Sequence, residues 1–251
     1  MARAITRIDH SILGEPRSSG VLLHPTSLPG SYGIGTIGDE AVGFIDFLVR
    51  AGQRLWQVCP LGPTGYGDSP YQCFSAFAGN PLLIGLEPLV RAGHLPEDAL
   101  GDDSPDRAHG ARAGSSVDYG VLIPWKLGVL KSAFDRFVGT ASPSDRGKLA
   151  RFEQLNRDWL DDYALFAALK DAHDGRPWSE WPAEFRDREP AAIERFSDEH
   201  SERIALTKYL QWVFHTQWYA LRAVASVHGV RIVGDLPIFV AHDSADVWAH
   251  R

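Results

Sequence analysis

Three short apolar runs, none of them alternating with polar residues, constrain this chain more than any other feature. The first is Gly20-Val21-Leu22-Leu23-His24 and the second Leu55-Trp56-Gln57-Val58-Cys59-Pro60-Leu61. The third is Gly229-Val230-Arg231-Ile232-Val233-Gly234-Asp235. A strand with one wet face alternates in polarity, whereas an unbroken apolar run bounded by Gly and Pro fits a strand covered on both faces, as in a parallel sheet. Between the first two runs, residues 39–52 open with Asp39 and Glu40, carry apolar residues at helical spacing and close with Arg50 and Gly52. Those are the start and stop signals of a helix. Strand, helix and strand in that order make a βαβ unit with parallel strands.

From Leu61 to Val230 is 169 positions, too far for one crossover helix. Most of that stretch has helical spacing. Residues 125–137 place Leu127, Leu130, Phe134 and Phe137 on one stripe, and residues 149–169 do the same with Phe152, Leu155, Trp159, Tyr163, Phe166 and Leu169. Residues 203–227 form a third helical segment that runs into the strand at Val230. The fold class is therefore α/β, with a large helical insertion between strands 2 and 3 of a parallel sheet. The expected divisions are residues 1–84 with the first two strands, 85–202 as the helical insertion, and 203–251 returning to the third strand. Residues 97–116 lack a period and read as a loop, and residues 175–182 as a Pro/Trp turn. The chain runs only 16 residues past Asp235, and three strands make an incomplete layer. A (β/α)8 barrel takes about 250 residues before any insertion, so this sequence reads as the opening of a longer fold.

Composition removes several function classes. The net charge of −7 gives no attraction to phosphate backbones, so nucleic acid is not an expected partner. No apolar stretch approaches the roughly 18 residues that span a bilayer, and residues 1–20 lack the apolar core of a signal peptide. Two cysteines, Cys59 and Cys73, make no disulfide framework. Together these point to the cytoplasm, with no membrane partner. The chain has 8 Trp, 7 Tyr and 12 Phe, several of them close to Gly and Pro. Most belong to the core, but rings on a loop-built site can stack on sugar faces.

Gly33-Ile34-Gly35-Thr36-Ile37-Gly38 matches the dinucleotide fingerprint G-x-G-x-x-G ahead of a helix. Residues 25–32 separate it from the strand, and the second strand ends in Cys59-Pro60-Leu61 instead of an acid for a ribose. A loop leading to a helix is the better reading. Residues 62–72 directly follow the second strand, and loops after strand C-termini build the active sites of parallel barrels. This loop holds Tyr66 and Tyr71 for stacking and Asp68, Ser69 and Gln72 for hydroxyl groups. It is either a site for a hydroxyl-rich ligand or a rigid turn. Asp235 ends an apolar strand, where a carboxylate is costly unless paired. It either caps the next turn or faces a polar cleft. His242, Asp243 and Asp246 are a weak metal candidate, and H-E-x-x-H, C-x-x-C and G-x-S-x-G are all absent from the sequence. His24, with no Ser or Cys elbow beside it, reads as a positioned hydrogen-bonding residue.

The run Gly20-Val21-Leu22-Leu23-His24-Pro25-Thr26-Ser27-Leu28-Pro29-Gly30 resembles the opening of amylomaltases, the 4-α-glucanotransferases of glycoside hydrolase family seventy-seven. The similarity continues through Trp56-Gln57-Val58, residues 60–72, and Ser75-Ala76-Phe77-Ala78-Gly79-Asn80-Pro81. It returns at Val117-Asp118-Tyr119, Leu160-Asp161-Asp162-Tyr163 and Gly234-Asp235-Leu236-Pro237-Ile238-Phe239-Val240. The resemblance implies a (β/α)8 TIM barrel, of which this chain would hold the first three strands. It implies transfer of α-1,4-glucan segments to glucose or maltooligosaccharides with retention, which calls for two carboxyl groups about 5–5.5 Å apart. No metal or organic cofactor is implied. Tyr66, Ser69 and Tyr71 fall on positions that line the glucan cleft in this family, and Asp235 on an aspartate that supports the site without attacking. The nucleophile and the acid/base are expected beyond Arg251, so no catalytic residue is assigned in this chain, which alone is expected to be inactive. The rival readings are a glucan-binding module without turnover and a non-functional remnant.

Overall fold

The structure is a computed structural model that describes residues 18–64, 69–100, 117–236 and 238–251. Strands β1 (Gly20–Leu22), β2 (Leu55–Gln57) and β3 (Arg231–Val233) form one parallel sheet in the order β1-β2-β3. Gly20 pairs with Leu55, and Leu55 in turn with Arg231. Each strand is shorter than its apolar run. Backbone pairing goes one step further, from Leu23 N–H to Gln57 O at 2.9 Å and from Val58 N–H to Val233 O at 3.0 Å. Pro25 and Pro60 then remove the next donors and close the ladder. The expectation of strands covered on both faces holds at the middle of β2, where Trp56 is fully buried. It fails at the outer strands: Leu22 is 60% exposed and β3 is only half-buried. In a three-stranded sheet only the central strand has a neighbour on each side.

Helix α1 (Asp39–Arg50) links β1 to β2 and buries Ala41, Ile45 and Leu48. Its start is fixed by Thr36 Oγ1, which accepts from Gly38 N–H at 3.1 Å and donates to Glu40 Oε2 at 2.8 Å. Gly52, at φ +69°, provides the left-handed stop. After β2 come α2 (Leu86–Arg91), α3 (Tyr119–Thr140), α4 (Pro143–Leu155), α5 (Arg157–Ala172), α6 (Ala183–Arg186), α7 (Pro190–Glu199) and α8 (Ser201–Val227). Helix α9 (Ala245–Ala249) follows β3. The apolar stripe over residues 149–169 is thus two helices. The break is Asn156, whose N–H and Nδ2 both donate to Phe152 O, at 3.1 and 2.8 Å. An asparagine that satisfies the end of one helix in this way leaves the helical path.

Two apolar clusters dominate. One gathers Ile45, Leu48, Trp56, Leu83, Tyr209 and Phe214 where α1, α3 and α8 meet the sheet. The other gathers Phe166, Leu169, Trp178, Trp181, Phe196 and Trp248 around α5, α7 and α9. The glycines of residues 33–38 serve chain packing. A Cβ on Gly35 would lie 2.1 Å from Pro25 O, and one on Gly85 would lie 2.8 Å from Gly38 Cα. Backbone therefore fills the space that a phosphate would need.

Candidate functional site

Because the three strands are parallel, their C-terminal ends lie on one edge of the sheet, and the candidate residues project from that edge. The loop after β2 is closed on itself. Thr64 and Cys73 form a bridge, Phe74 N–H donates to Pro63 O at 3.0 Å, and Cys73 Sγ donates to Pro70 O at 2.8 Å. Ser69 shapes the turn before Tyr71: its carbonyl accepts from Gln72 N–H at 3.1 Å and its Oγ from Tyr71 N–H at 3.4 Å. The Tyr71 ring emerges half exposed, and its hydroxyl donates to Asp235 Oδ2 at 2.8 Å.

That contact joins two of the candidates read from sequence, 164 positions apart. The Asp235 carboxylate thus faces the loop after β2, where it accepts a hydrogen bond from the Tyr71 hydroxyl. The bond and the negative charge of Asp235 push the Tyr71 phenol up to about 12, with a smaller contribution from Cys59 nearby. At neutral pH Tyr71 is therefore a firm donor with an exposed ring face, beside a carboxylate with a second oxygen. Such a pair suits a ligand with both apolar ring faces and hydroxyls. Tyr66, the fourth candidate, and Asp68 lie outside the described residues.

His24 follows β1 on the same edge. Its Nδ1 lies 2.7 Å from Thr26 Oγ1 and accepts from Thr26 N–H at 3.4 Å. Burial lowers its pKa, partly offset by the Pro60 carbonyl, so the ring is neutral at pH 7. It acts as the N-terminal cap of the turn Pro25–Ser27.

His242 and Asp243 do not converge on a metal position. Asp243 forms an ion pair with Lys170 and accepts from Trp178 N–H at 3.2 Å. His242 stacks on Trp178 with ring centres 5.0 Å apart. Among the described residues, no group of three or more His, Cys, Asp or Glu is placed to hold a metal ion. A recess between Phe77, Trp159 and Asp246 encloses about 50 Å³, room for a water or two and away from Tyr71. Sequence reasoning passed over Cys59 as a neighbour of Tyr71 and Lys170 as the partner of Asp243. The second left little signal, since Lys170 follows the apolar run Ala167-Ala168-Leu169 in the last turn of α5, where a lysine is ordinary.

With this geometry in place, comparison with known proteins is specific. A family model described as 4-alpha-glucanotransferase, glycoside hydrolase family 77, matches residues 23–251. The chain belongs to this 4-alpha-glucanotransferase family. The Thermus thermophilus 4-alpha-glucanotransferase is 52% identical over 94% of this chain and 45% of that protein. The Synechocystis 4-alpha-glucanotransferase is 46% identical over 94% of this chain and 46% of its own length. Among solved structures, the amylomaltase from Streptococcus agalactiae in complex with acarbose superposes with a TM-score of 0.85 at 37% identity, covering 94% of this chain and 46% of that one. This glucanotransferase-family chain thus spans about half the length of the curated relatives it matches. Its α/β architecture, with a three-stranded parallel sheet and many helices, is that of its amylomaltase neighbour.

Proposed function

We propose that the edge carrying Tyr71, Ser69 and Asp235, together with Tyr66, binds α-1,4-glucans as part of a 4-α-glucanotransferase. The observation that carries this reading is the Tyr71–Asp235 hydrogen bond, which aims an aromatic face and a carboxylate from two strand ends toward one place. The three strands are read as the first three of a (β/α)8 barrel, with residues 1–84 and 203–251 in the barrel and residues 85–202 an inserted helical subdomain.

In the whole protein, a carboxylate attacks the anomeric carbon of the donor glucan as an acid protonates the departing sugar oxygen. The 4-hydroxyl of glucose or a maltooligosaccharide then takes the glycosyl group from that carboxylate and gives up its proton to the same acid/base. Both carboxyl groups are assigned to chain beyond Arg251. Within residues 1–251 the task is binding and orientation. Asp235 holds Tyr71 and offers its free oxygen to a sugar hydroxyl, while the Tyr71 ring covers a sugar face. The acidic net charge and the pair of free thiols support a cytoplasmic enzyme without a nucleic acid partner.

Calorimetric titration with acarbose and maltoheptaose tests the reading. Binding that Tyr71→Phe and Asp235→Asn weaken would support it, and equal binding by all three proteins would sink the assignment. A second reading has its own observation: Leu236, Ile238 and Phe239 are 85%, 90% and 83% exposed directly after Asp235. Apolar surface of that kind beside an outer strand favours self-association of the 251-residue chain over turnover. Glucose release from maltotriose by the purified chain is expected to stay at background.

A further inference from the structure

Tyr71 and Asp235 sit on separate loops, so their contact depends on how the loop after β2 is held against the segment after β3. Two hydrogen bonds do this, both made by the start of α9. Ala245 N–H donates to Phe74 O at 2.8 Å, and Asp246 Oδ2 accepts from Ala76 N–H at 2.9 Å. The first is backbone to backbone and independent of side-chain identity. The second is where the sequence decides.

Helix α9 is itself rigidly placed. Buried Ser244 caps it by accepting from Val247 N–H at 3.3 Å. Asp243, one residue earlier, is tied to Lys170 and to Trp178 N–H. Trp248 is fully buried and donates from Nε1 to Phe185 O at 3.0 Å. An acceptor mounted on such an anchor, gripping a backbone N–H five residues after Tyr71, transmits position to the tyrosine.

We propose that Asp246 is a positioning residue for the Tyr71–Asp235 pair, holding the tyrosine loop in register with the strand end that carries the aspartate. The inference rests on the reading of that pair as a glucan contact for its functional meaning, but not for its test. It requires an acceptor oxygen at position 246, not a charge. That separates it from a simple helix-dipole role, in which the carboxylate would matter as an anion in the first turn of α9. The charged or titratable groups around Asp246 are Asp158, Asp162, His250 and Cys73, and those around Tyr71 are Asp235 and Cys59.

The test labels the full chain with 3-fluorotyrosine, whose more acidic phenol titrates below the range of alkaline unfolding. The Tyr71 signal is assigned by its loss in Tyr71→Phe and followed by fluorine NMR against pH. In the parent protein it should titrate above free 3-fluorotyrosine because Asp235 holds its proton. Asp246→Asn, which keeps the acceptor, should titrate with the parent. Asp246→Ala and the near-isosteric Asp246→Leu should fall by about one pH unit as the contact loosens, and either one, once folded, suffices. The proposal is overturned if the folded Ala or Leu variant titrates with the parent, or if the Asn variant falls with them. It is equally overturned if Ala and Leu both fail to fold while Asn folds, since Asp246 is then a stability residue. Failure of the parent protein to bind acarbose would count against the glucan reading and leave the titration result intact.

Discussion

Gln211 and Gly79 exchange two hydrogen bonds: Gly79 N–H donates to Oε1 at 2.7 Å, and Nε2 donates to Gly79 O at 2.9 Å. Gln217 repeats the arrangement with Gly85 at 2.8 and 2.9 Å. Two glutamines six positions apart on α8 thus stand in for a neighbouring strand along residues 79–85, satisfying backbone groups of Gly79 and Gly85 that no strand pairs. The segment they grip leads directly out of the loop that carries Tyr71.

Gln211 is fully buried, so Gln211→Leu would strand a donor and an acceptor of Gly79 out of water. The expected loss is about 2–4 kcal/mol. Gly79→Ala should lose a similar amount by another route, because its Cβ would lie 2.0 Å from the Phe214 ring. Urea unfolding checks both, and losses under about 0.5 kcal/mol would show that the clasp is replaceable by water.

Lys170 is the other buried anchor. Its ammonium donates to Gly175 O at 2.9 Å and Arg176 O at 3.0 Å, pairs with Asp243, and lies 5.0 Å from the centre of the Phe74 ring. Lys170→Met leaves Asp243 without its counter-charge and two carbonyls without a donor. A loss of about 3 kcal/mol is expected, with part of it recovered in the double variant Lys170→Met/Asp243→Leu. A double variant no more stable than Lys170→Met would mean that the unpaired carboxylate is not the source of the cost.

These anchors mark where sequence reading stops. Periodicity found the start of α1 to the residue, its end to within two, and α8 to within two, since both have strong apolar stripes and clear ends. It joined α4 to α5, because a stripe continues through Asn156 while the backbone does not. The apolar runs located the strands, but strand length was set by Pro25 and Pro60, and burial by how many neighbours each strand has. Tyr71 and Asp235 were each legible as candidates. Their contact was not, because nothing local links residues 164 positions apart. Asp243 looked like a metal candidate for the same reason: its partner Lys170 is 73 positions away and sits among apolar residues.

Tyr71→Phe isolates the contribution of one hydroxyl. It keeps the ring and removes the donor to Asp235. If the pair binds glucan as proposed, the dissociation constant for acarbose should rise roughly tenfold, the scale of one hydrogen bond to a charged group. Tyr71→Ala, which also removes the stacking face, should weaken binding further. Equal affinities for Phe and Ala would assign the whole effect to the hydroxyl and none to the ring.

Lys126 should give the chain a stability that rises with pH through neutrality. The residue is fully buried on α3, donates to Leu82 O at 2.6 Å and is brought down to about 7 by burial, a fall that Glu40 and Glu87 only partly offset. The unfolded chain keeps the proton up to the ordinary lysine range near 10.4, whereas the folded chain releases it near 7. Between those values the unfolded state holds more protons, so raising the pH favours the folded state. The slope is at most about 1.4 kcal/mol per pH unit for one proton. Other groups titrate at the edges of this window. Half-buried His24, His94 and His215 have lowered pKa values, so they add to the rise until their unfolded forms have lost their protons, about one unit above the ordinary imidazole value of 6.5. Cys73, Tyr71, Tyr163 and Tyr209 have raised values, so they reduce stability as their unfolded forms ionise, the thiol first, beginning about one unit below its ordinary range near 8.5. Because those groups are common to both proteins, chemical denaturation of the parent and of Lys126→Met at intervals from pH 7 to about 8.5 isolates Lys126 in the difference between them. Stability should climb more steeply with pH over that interval in the parent protein than in Lys126→Met. Equal slopes in the two proteins would show that the Lys126 ammonium keeps its proton in the folded chain, held by Glu40, Glu87 and the Leu82 carbonyl.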